Sequence, residues 1–377
     1  VKPVRTRVIN TRERAILVQG VFGRTDRDEA ADSLLELERL ADTAGAVVAG
    51  SITQRRNAPT PQFFVGEGKL TDIQLACRNA GANLVIFDNE LSPVQVNNLD
   101  MALGIKVIDR TELILQIFAG RARSAESQIQ VELAQLEYLI SRIPVSEKQS
   151  RFQGGIGMRG PGESPLQLRN APMRRRIADL KRKLEAIQRR RELKKAHQRW
   201  PTVCLVGYTN AGKSTMLNVI ARADAYVDDR LFATLDTKTR RIRLPNGVDA
   251  LLIDTVGFIR NLPHGLVASF RSTLDVAVQA DLLVVMVEAE HPRVEDHLRV
   301  VRDTLGEIGA AGVPSLLVLN KLDLVPDSAR REDLRARFPD ALGVSAATGE
   351  GLQDLKQIMG EKLEDVVRRR NPDWQPG

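Results

Sequence analysis

Gly207-Tyr208-Thr209-Asn210-Ala211-Gly212-Lys213-Ser214 follows the apolar run Val203–Val206 and opens a helical pattern from Thr215 to Ala221. The spacing is G-x-x-x-x-G-K-[ST], and strand, loop and helix come in the order that a phosphate-binding loop requires. Backbone N–H groups of the loop and of the helix N-terminus can cradle phosphate oxygens. Lys213 is then placed to follow the β- and γ-phosphates, and Ser214 to ligate Mg²⁺. The expected fold is an α/β P-loop domain, a doubly wound and mostly parallel sheet with its ligand at the strand C-termini.

Three further stretches lie downstream: Asp254-Thr255-Val256-Gly257, Asn320-Lys321-Leu322-Asp323 and Ser345-Ala346-Ala347. The second of these names the base. The Asp323 carboxylate can accept from both N1–H and N2–H₂ of guanine. Adenine lacks that donor pair and would leave a buried carboxylate unpaired, at roughly 1–3 kcal/mol. Asn320 is expected to fix the loop, the Lys321 stem to lie over the base, and Ser345–Ala346 to offer backbone donors to O6. Asp254 ends the run Ala250–Asp254 and is expected to meet Mg²⁺ through water. Between the first two motifs, Leu231-Phe232-Ala233-Thr234-Leu235-Asp236 supplies Thr234, the candidate mobile threonine for Mg²⁺ and the γ-phosphate. Residues 207–215, 232–236, 254–257, 320–323 and 345–347, Thr215 included, form the expected GTP or GDP site. Lys213, Thr234 and Gly257 are its candidate catalytic set.

Asp281–Val287 and Pro314–Asn320 are continuous apolar runs, as in parallel strands buried on both faces. Helical patterns at Glu295–Ile308 and Gly351–Val366 alternate with them. The nucleotide domain is therefore read as residues 200–366, with 367–377 a short tail.

Composition bounds the rest. A chain of 377 residues suffices for two or three domains. No apolar run reaches the roughly 18–20 residues of a membrane span, and no signal peptide is evident, so a cytoplasmic location is expected. Cys77 and Cys204 sit in apolar surroundings and read as buried thiols in a reducing compartment. The net charge of +7 is unevenly placed: from Arg169 to Arg199 thirteen Lys/Arg meet three acids, more than the whole chain's excess. A run this steep favours a polyanionic partner over a merely solvated helix face.

Residues 1–120 read as a small α/β unit. Strands are expected at Ala15–Phe22, Ala46–Thr53, Leu84–Asp88 and Lys106–Asp109, with a shorter one at Gln62–Val65. Helices fall at Asp28–Ala44, Lys69–Ala80 and Ser92–Leu103, and Gly81 and Gly104 stand where C-caps belong. Gly66-Glu67-Gly68-Lys69 lacks phosphate-loop spacing and reads as a turn before a helix. Residues 121–199 read as a helical hairpin. Ile129, Leu133, Leu136 and Ile140 form one apolar stripe, and Ile177, Leu180, Leu184 and Ile187 form another. The connection from about Ser141 to Pro172 carries Gly154, Gly155, Gly157, Gly160 and Gly162 with Arg151 and Arg159. Loops of that length are functional or disordered, and glycine with arginine suits close approach to RNA. The candidate RNA contacts are Arg151, Gly154, Gly155, Arg159, Arg174, Arg175, Arg176, Arg189, Arg190 and Arg191.

Gly154–Glu163, the preceding Gln130–Leu136 and the loop Leu231–Asp236 together make the chain resemble the HflX family of GTPases over essentially its whole length. That resemblance implies a cytosolic GTPase that binds the large (50S) ribosomal subunit and its 23S rRNA; a monomer is expected. It also implies that stalled or idle 70S ribosomes are split, with the hairpin loop reaching toward the peptidyl transferase centre. Ser164–Pro172 departs from the family pattern, with glutamine and arginine where acids are usual.

Phe258 follows the Asp254–Gly257 motif, where many GTPases carry a glutamine that orients the attacking water. Phenylalanine cannot do this, so slow unaided turnover is expected. Activation must come from the ribosome, from a monovalent cation or from backbone of the Thr234 loop. Asn210 is a candidate oxygen ligand for K⁺, though asparagine also tolerates a tight loop. Two other functions compete: a large-subunit assembly GTPase, and an ATP-dependent RNA-remodelling enzyme. The guanine loop speaks against the second.

Overall fold

The computed structural model describes residues 13–23, 26–142, 165–196, 200–222, 231–260 and 271–370. The chain separates into two compact units, residues 1–120 with 128–185, and residues 121–127 with 186–377.

The first unit is built on a four-stranded parallel sheet. Its elements are β1 (Arg14–Phe22), α1 (Arg27–Thr43), β2 (Val47–Arg56), α2 (Glu67–Ala80), β3 (Leu84–Phe87), α3 (Pro93–Leu103), β4 (Lys106–Asp109) and α4 (Arg110–Arg121), in the strand order β2-β1-β3-β4. β3 is buried along its length, as expected of a central parallel strand with helices on both faces. Gly81 and Gly104 end α2 and α3 at φ +59° and +67°, a backbone conformation that costs glycine least. Ser92 and Gln95 form a reciprocal capping box at the start of α3. Gly66 is the N-cap of α2, so the Gly66–Lys69 motif is a helix entry.

Gln62–Val65 is not a strand. It is a turn closed by an antiparallel bridge between Thr60 and Phe64, with the Thr60 hydroxyl donating to the Val65 carbonyl at 2.7 Å. Pro59 and Pro61 remove backbone donors a strand would need. The apolar run instead anchors the turn: the Phe64 ring meets Phe22 and Phe87 edge-on, at 5.3 and 5.9 Å.

Two long helices follow, α5 (Ala125–Ser141) and α6 (Pro165–Ala196). Leu133, Leu136 and Leu180 are their shared core, with Ile129, Ile177 and Leu184 packed around it. The expected stripes pair through Ile129, Leu133 and Leu136 against Ile177, Leu180 and Leu184, while Ile140 and Ile187 lie outside this cluster. The long connection ends earlier than Pro172, because α6 starts at Pro165 and carries Pro172 inside it. Proline suits a first helical turn, where its missing N–H costs nothing.

The second unit holds a six-stranded sheet, order β10-β9-β8-β5-β7-β6. Its elements are β5 (Thr202–Gly207), α7 (Lys213–Ala221), β6 (Lys238–Arg243), β7 (Asp249–Asp254), α8 (Arg271–Val278), β8 (Leu282–Glu288), α9 (Val294–Glu307), β9 (Ser315–Asn320), a 3₁₀ turn (Leu322–Leu324), α10 (Ser328–Arg337), β10 (Leu342–Gly343) and α11 (Leu352–Arg370). Among the described strands of this sheet only β6 runs antiparallel, against β7. β5 is wholly buried between β7 and β8. The chain turns to opposite sides of the sheet around β5, and its carboxyl end is the switch point where such sheets bind ligands. Among the described residues, no helix is long and apolar enough to cross a membrane.

Candidate nucleotide site

The phosphate loop leaves β5 at Gly207. A Cβ there would stand 2.2 Å from the Met286 carbonyl oxygen, so only glycine lets the loop turn out between two strands. The loop reaches α7 at Gly212, its N-cap, at φ +86°. Lys213 folds back: its Nζ donates to the carbonyls of Gly207 and Tyr208 at 3.2 and 2.8 Å, and the side chain is only 7% exposed. Burial pushes its ammonium down to about 8, against the pull of Asp254. Asn210 takes φ +64° and is exposed. Tyr208 is buried with its ring stacked on His297 at 3.8 Å. Its hydroxyl accepts from the Arg260 backbone N–H at 3.0 Å.

The segment after β7 is stitched to this loop. Thr209 N–H donates to the Phe258 carbonyl at 2.7 Å, and Phe258 N–H donates to the Gly207 carbonyl at 3.0 Å. Gly257 consequently passes so close that a Cβ would lie 2.8 Å from Thr209 Cα and 3.0 Å from Lys213 Nζ. The Phe258 side chain is 2% exposed and fills the core rather than facing a reaction. Thr255 hydroxyl donates to the Leu205 carbonyl at 2.7 Å.

Three oxygen donors converge beside Lys213. Ser214 Oγ and Thr234 Oγ1 both donate to Asp254 Oδ2, at 2.6 and 2.9 Å, and lie 2.8 Å from each other. Asp254 is fully buried, and among the described residues its Oδ1 has no hydrogen-bond partner. Two hydroxyls and a carboxylate with spare acceptor capacity are hard oxygen donors, the kind Mg²⁺ takes. These residues fit the ion. Phe232 stands at φ +54°. Leu231, Phe232 and Leu235 bury their side chains, so from Leu231 to Leu235 a ligand would meet only backbone and Thr234.

Asn320, 1% exposed, ties the base loops together. Its Nδ2 donates to the Ala211 carbonyl at 2.8 Å, and its Oδ1 accepts from Ala346 N–H at 3.1 Å. Ser345 Oγ donates to Asp323 Oδ1 at 2.5 Å, which leaves Asp323 Oδ2 for another donor. Lys321 lies at φ +62° with its Nζ 3.1 Å from Glu288 Oε1. Ala347 is exposed at the rim.

Other candidates fall elsewhere. The Asp236 carboxylate accepts from Arg123 N–H, Ser124 N–H and the Ser124 hydroxyl. No sequence pattern linked Ser124 to this loop. Arg176 chelates Glu132 at 2.7 and 2.8 Å, and Arg191 pairs with Glu126 at 2.6 Å. Arg174, Arg175, Arg189 and Arg190 are exposed. Arg151, Gly154, Gly155 and Arg159 lie outside the described residues.

Comparison with known proteins places this site in a lineage. Residues 31–119 match the family described as GTP-binding GTPase N-terminal, residues 121–198 the GTP-binding GTPase Middle Region, and residues 202–321 the 50S ribosome-binding GTPase. GTPase HflX of Caldanaerobacter subterraneus is 45% identical over 93% of this chain and 81% of that protein. GTPase HflX of Escherichia coli is 44% identical over 94% of this chain and 84% of its own length. In fold, the chain is similar to the crystal structure of the SsGBP and GDP complex, at TM-score 0.50 and 24% identity, covering 95% of this chain and 99% of that one. A site of this construction, in a chain alike over 93% or more of its length, makes the protein a member of the HflX family, a GTP-hydrolysing enzyme with a 50S ribosome-binding GTPase domain.

Proposed function

We propose that this GTPase binds the large ribosomal subunit through 23S rRNA and, with GTP bound, drives stalled or idle 70S ribosomes apart. The observation that supports a switch most directly is the meeting of Ser214 and Thr234 on Asp254 Oδ2. A loop residue in reach of the metal-binding pair can report whether a γ-phosphate is present.

In this reading the Lys213 ammonium leaves its two loop carbonyls for β- and γ-phosphate oxygens. Ser214, Thr234 and Asp254 would hold Mg²⁺, Asp254 through water, and the ion would supply charge neutralisation at the phosphates. Asp323 Oδ2 accepts from guanine, while Ser345 occupies its other oxygen. Gly257 brings its backbone close to the γ-phosphate. Phe258 orients no water, so turnover is slow until the ribosome, K⁺ at Asn210 or the Thr234 loop backbone supplies the missing group. Arg174, Arg175, Arg189 and Arg190 bind RNA phosphates, a role in which Arg151 and Arg159 join them. The regions 1–120, 121–199 and 200–366 then divide the work, in a cytoplasmic monomer.

Sucrose-gradient sedimentation of 70S ribosomes with the protein and a non-hydrolysable GTP analogue tests this. Conversion to free 30S and 50S particles is expected. Intact 70S, with the protein riding on isolated 50S precursors, would assign it to subunit assembly instead.

A further inference from the structure

Residues 121–127 lie far in sequence from the nucleotide domain yet belong to its compact unit. Asp236 makes one of the contacts that tie them to it, alongside the Arg191–Glu126 pair. Asp236 Oδ2 accepts from Arg123 N–H and Ser124 N–H, each at 3.1 Å, and Oδ1 accepts from Ser124 Oγ at 2.5 Å. Ser124 also accepts from Ser127 N–H at 3.0 Å, so it caps the first turn of α5. A carboxylate at that position is further favoured by the helix dipole. Asp236 stands two residues after Thr234, whose hydroxyl is fixed on Ser214 and Asp254. Every oxygen of Asp236 is thus engaged by the start of α5. Burial alone would raise its carboxyl, but the Ser124, Ser127 and Arg123 hydrogen bonds hold it below the usual range.

We propose that Asp236 is a positioning residue and not a nucleotide ligand: clamped by Ser124, it holds the Thr234 loop in the geometry that recognises γ-phosphate. This rests on the reading of Thr234 as the switch threonine. Holding the loop before ligand arrives lowers the ordering cost of GTP binding, and GDP, with no γ-phosphate, gains nothing from it. The same contact makes the first turn of the hairpin an output of the switch. Movement of the Thr234 loop withdraws the anion that caps α5.

The test measures GTP-analogue and GDP affinities for Ser124→Ala, Asp236→Ala and the double variant, with Ser124→Thr as the rescue and Thr234→Ala as a separate arm. Charge-assisted hydrogen bonds of this kind predict a loss of about tenfold in GTP-over-GDP preference for each single variant. GDP affinity should hold in Ser124→Ala. The double variant should lose no more than the worse single one, and Ser124→Thr should restore most of the preference. A role confined to helix stability would lower the melting temperature and leave the preference untouched. Asp236→Ala weakening both nucleotides alike, with Ser124→Ala silent, would make Asp236 a nucleotide contact and overturn the clamp. Lost preference in Thr234→Ala with full preference in both clamp variants overturns the clamp alone. Full preference in Thr234→Ala overturns the switch assignment and the proposal with it.

Discussion

The Asn320 side chain donates to the Ala211 carbonyl at 2.8 Å across 109 residues of chain. Its other end accepts from Ala346 N–H at 3.1 Å, so one buried amide aligns the phosphate loop with both base loops. Asn320→Ala leaves a buried carbonyl and a buried N–H without their partners, at about 1–3 kcal/mol each where water cannot replace it. The expected outcome is loss of affinity for GDP and GTP together, by tenfold or more, with a lower melting temperature. Calorimetric titration of both nucleotides checks it.

Asp323 carries the choice of base. Ser345 occupies one carboxylate oxygen, and the other is left for the two guanine donors. Asp323→Asn presents a donor where guanine needs an acceptor. Affinity for GTP should fall by a factor of a hundred or so, consistent with two lost charge-assisted bonds, and xanthosine triphosphate should bind better than GTP. Unchanged GTP binding would remove Asp323 from the base site.

These motifs were legible in sequence because phosphate and guanine chemistry demand particular residue types at fixed spacing. The central strands were legible because burial on both faces writes a continuous apolar run, as in Leu282–Val287. β6 was not, since an edge strand reading Lys-Thr-Arg-Arg-Ile-Arg buries only Ile242. α4 was missed because β4 runs straight into it, with no turn residue to mark the change; Asp109 caps it by accepting from Glu112 N–H at 2.9 Å. The Ser124–Asp236 contact spans 112 residues, and nothing local signals it. Gln62–Val65 shows the converse, an apolar run that serves one buried ring rather than a ladder.

Lys213 makes binding depend on pH. Burial pushes its pKa down to about 8; phosphate oxygens placed around Nζ would favour the charged form and raise it. Below that value the ammonium is charged before nucleotide arrives, and affinity is flat. Above it each binding event takes up a proton, and affinity falls by up to about tenfold per pH unit. GDP titrations on either side of this pH, in buffers of different ionisation enthalpy, measure the uptake. Lys213→Gln gives the contribution of the nucleotide itself. Equal uptake in wild type and variant would show an ordinary lysine.

The basic helix should bind RNA through phosphates. Arg176 and Arg191 already pair with Glu132 and Glu126, so Arg174, Arg175, Arg189 and Arg190, exposed and outside those pairs, are the set to reverse. Each phosphate contact adds roughly 0.9 to the magnitude of the log–log salt slope, by analogy with duplex DNA. Changing these four to glutamate should flatten the slope by about three to four and weaken 50S binding while GTP affinity holds. Wild-type 50S binding in that variant would make the cluster a solvated face.

The last prediction concerns turnover without the glutamine. Phe258 is sealed in the core, so charge on the transferring phosphate must be met by something else. Asn210 is exposed at φ +64° in the phosphate loop. That backbone suits asparagine whatever its side chain does, and the exposed side-chain oxygen is also available to help hold K⁺ against phosphate oxygens. A cation there would act as an arginine finger does, where negative charge develops. Hydrolysis in KCl should then exceed that in NaCl at equal ionic strength by tenfold or more. Asn210→Gly keeps the positive φ without the amide, so it should erase the difference while nucleotide affinity holds. Equal rates in both salts, alone and with ribosomes, would leave activation to the ribosome or to the backbone of the Thr234 loop.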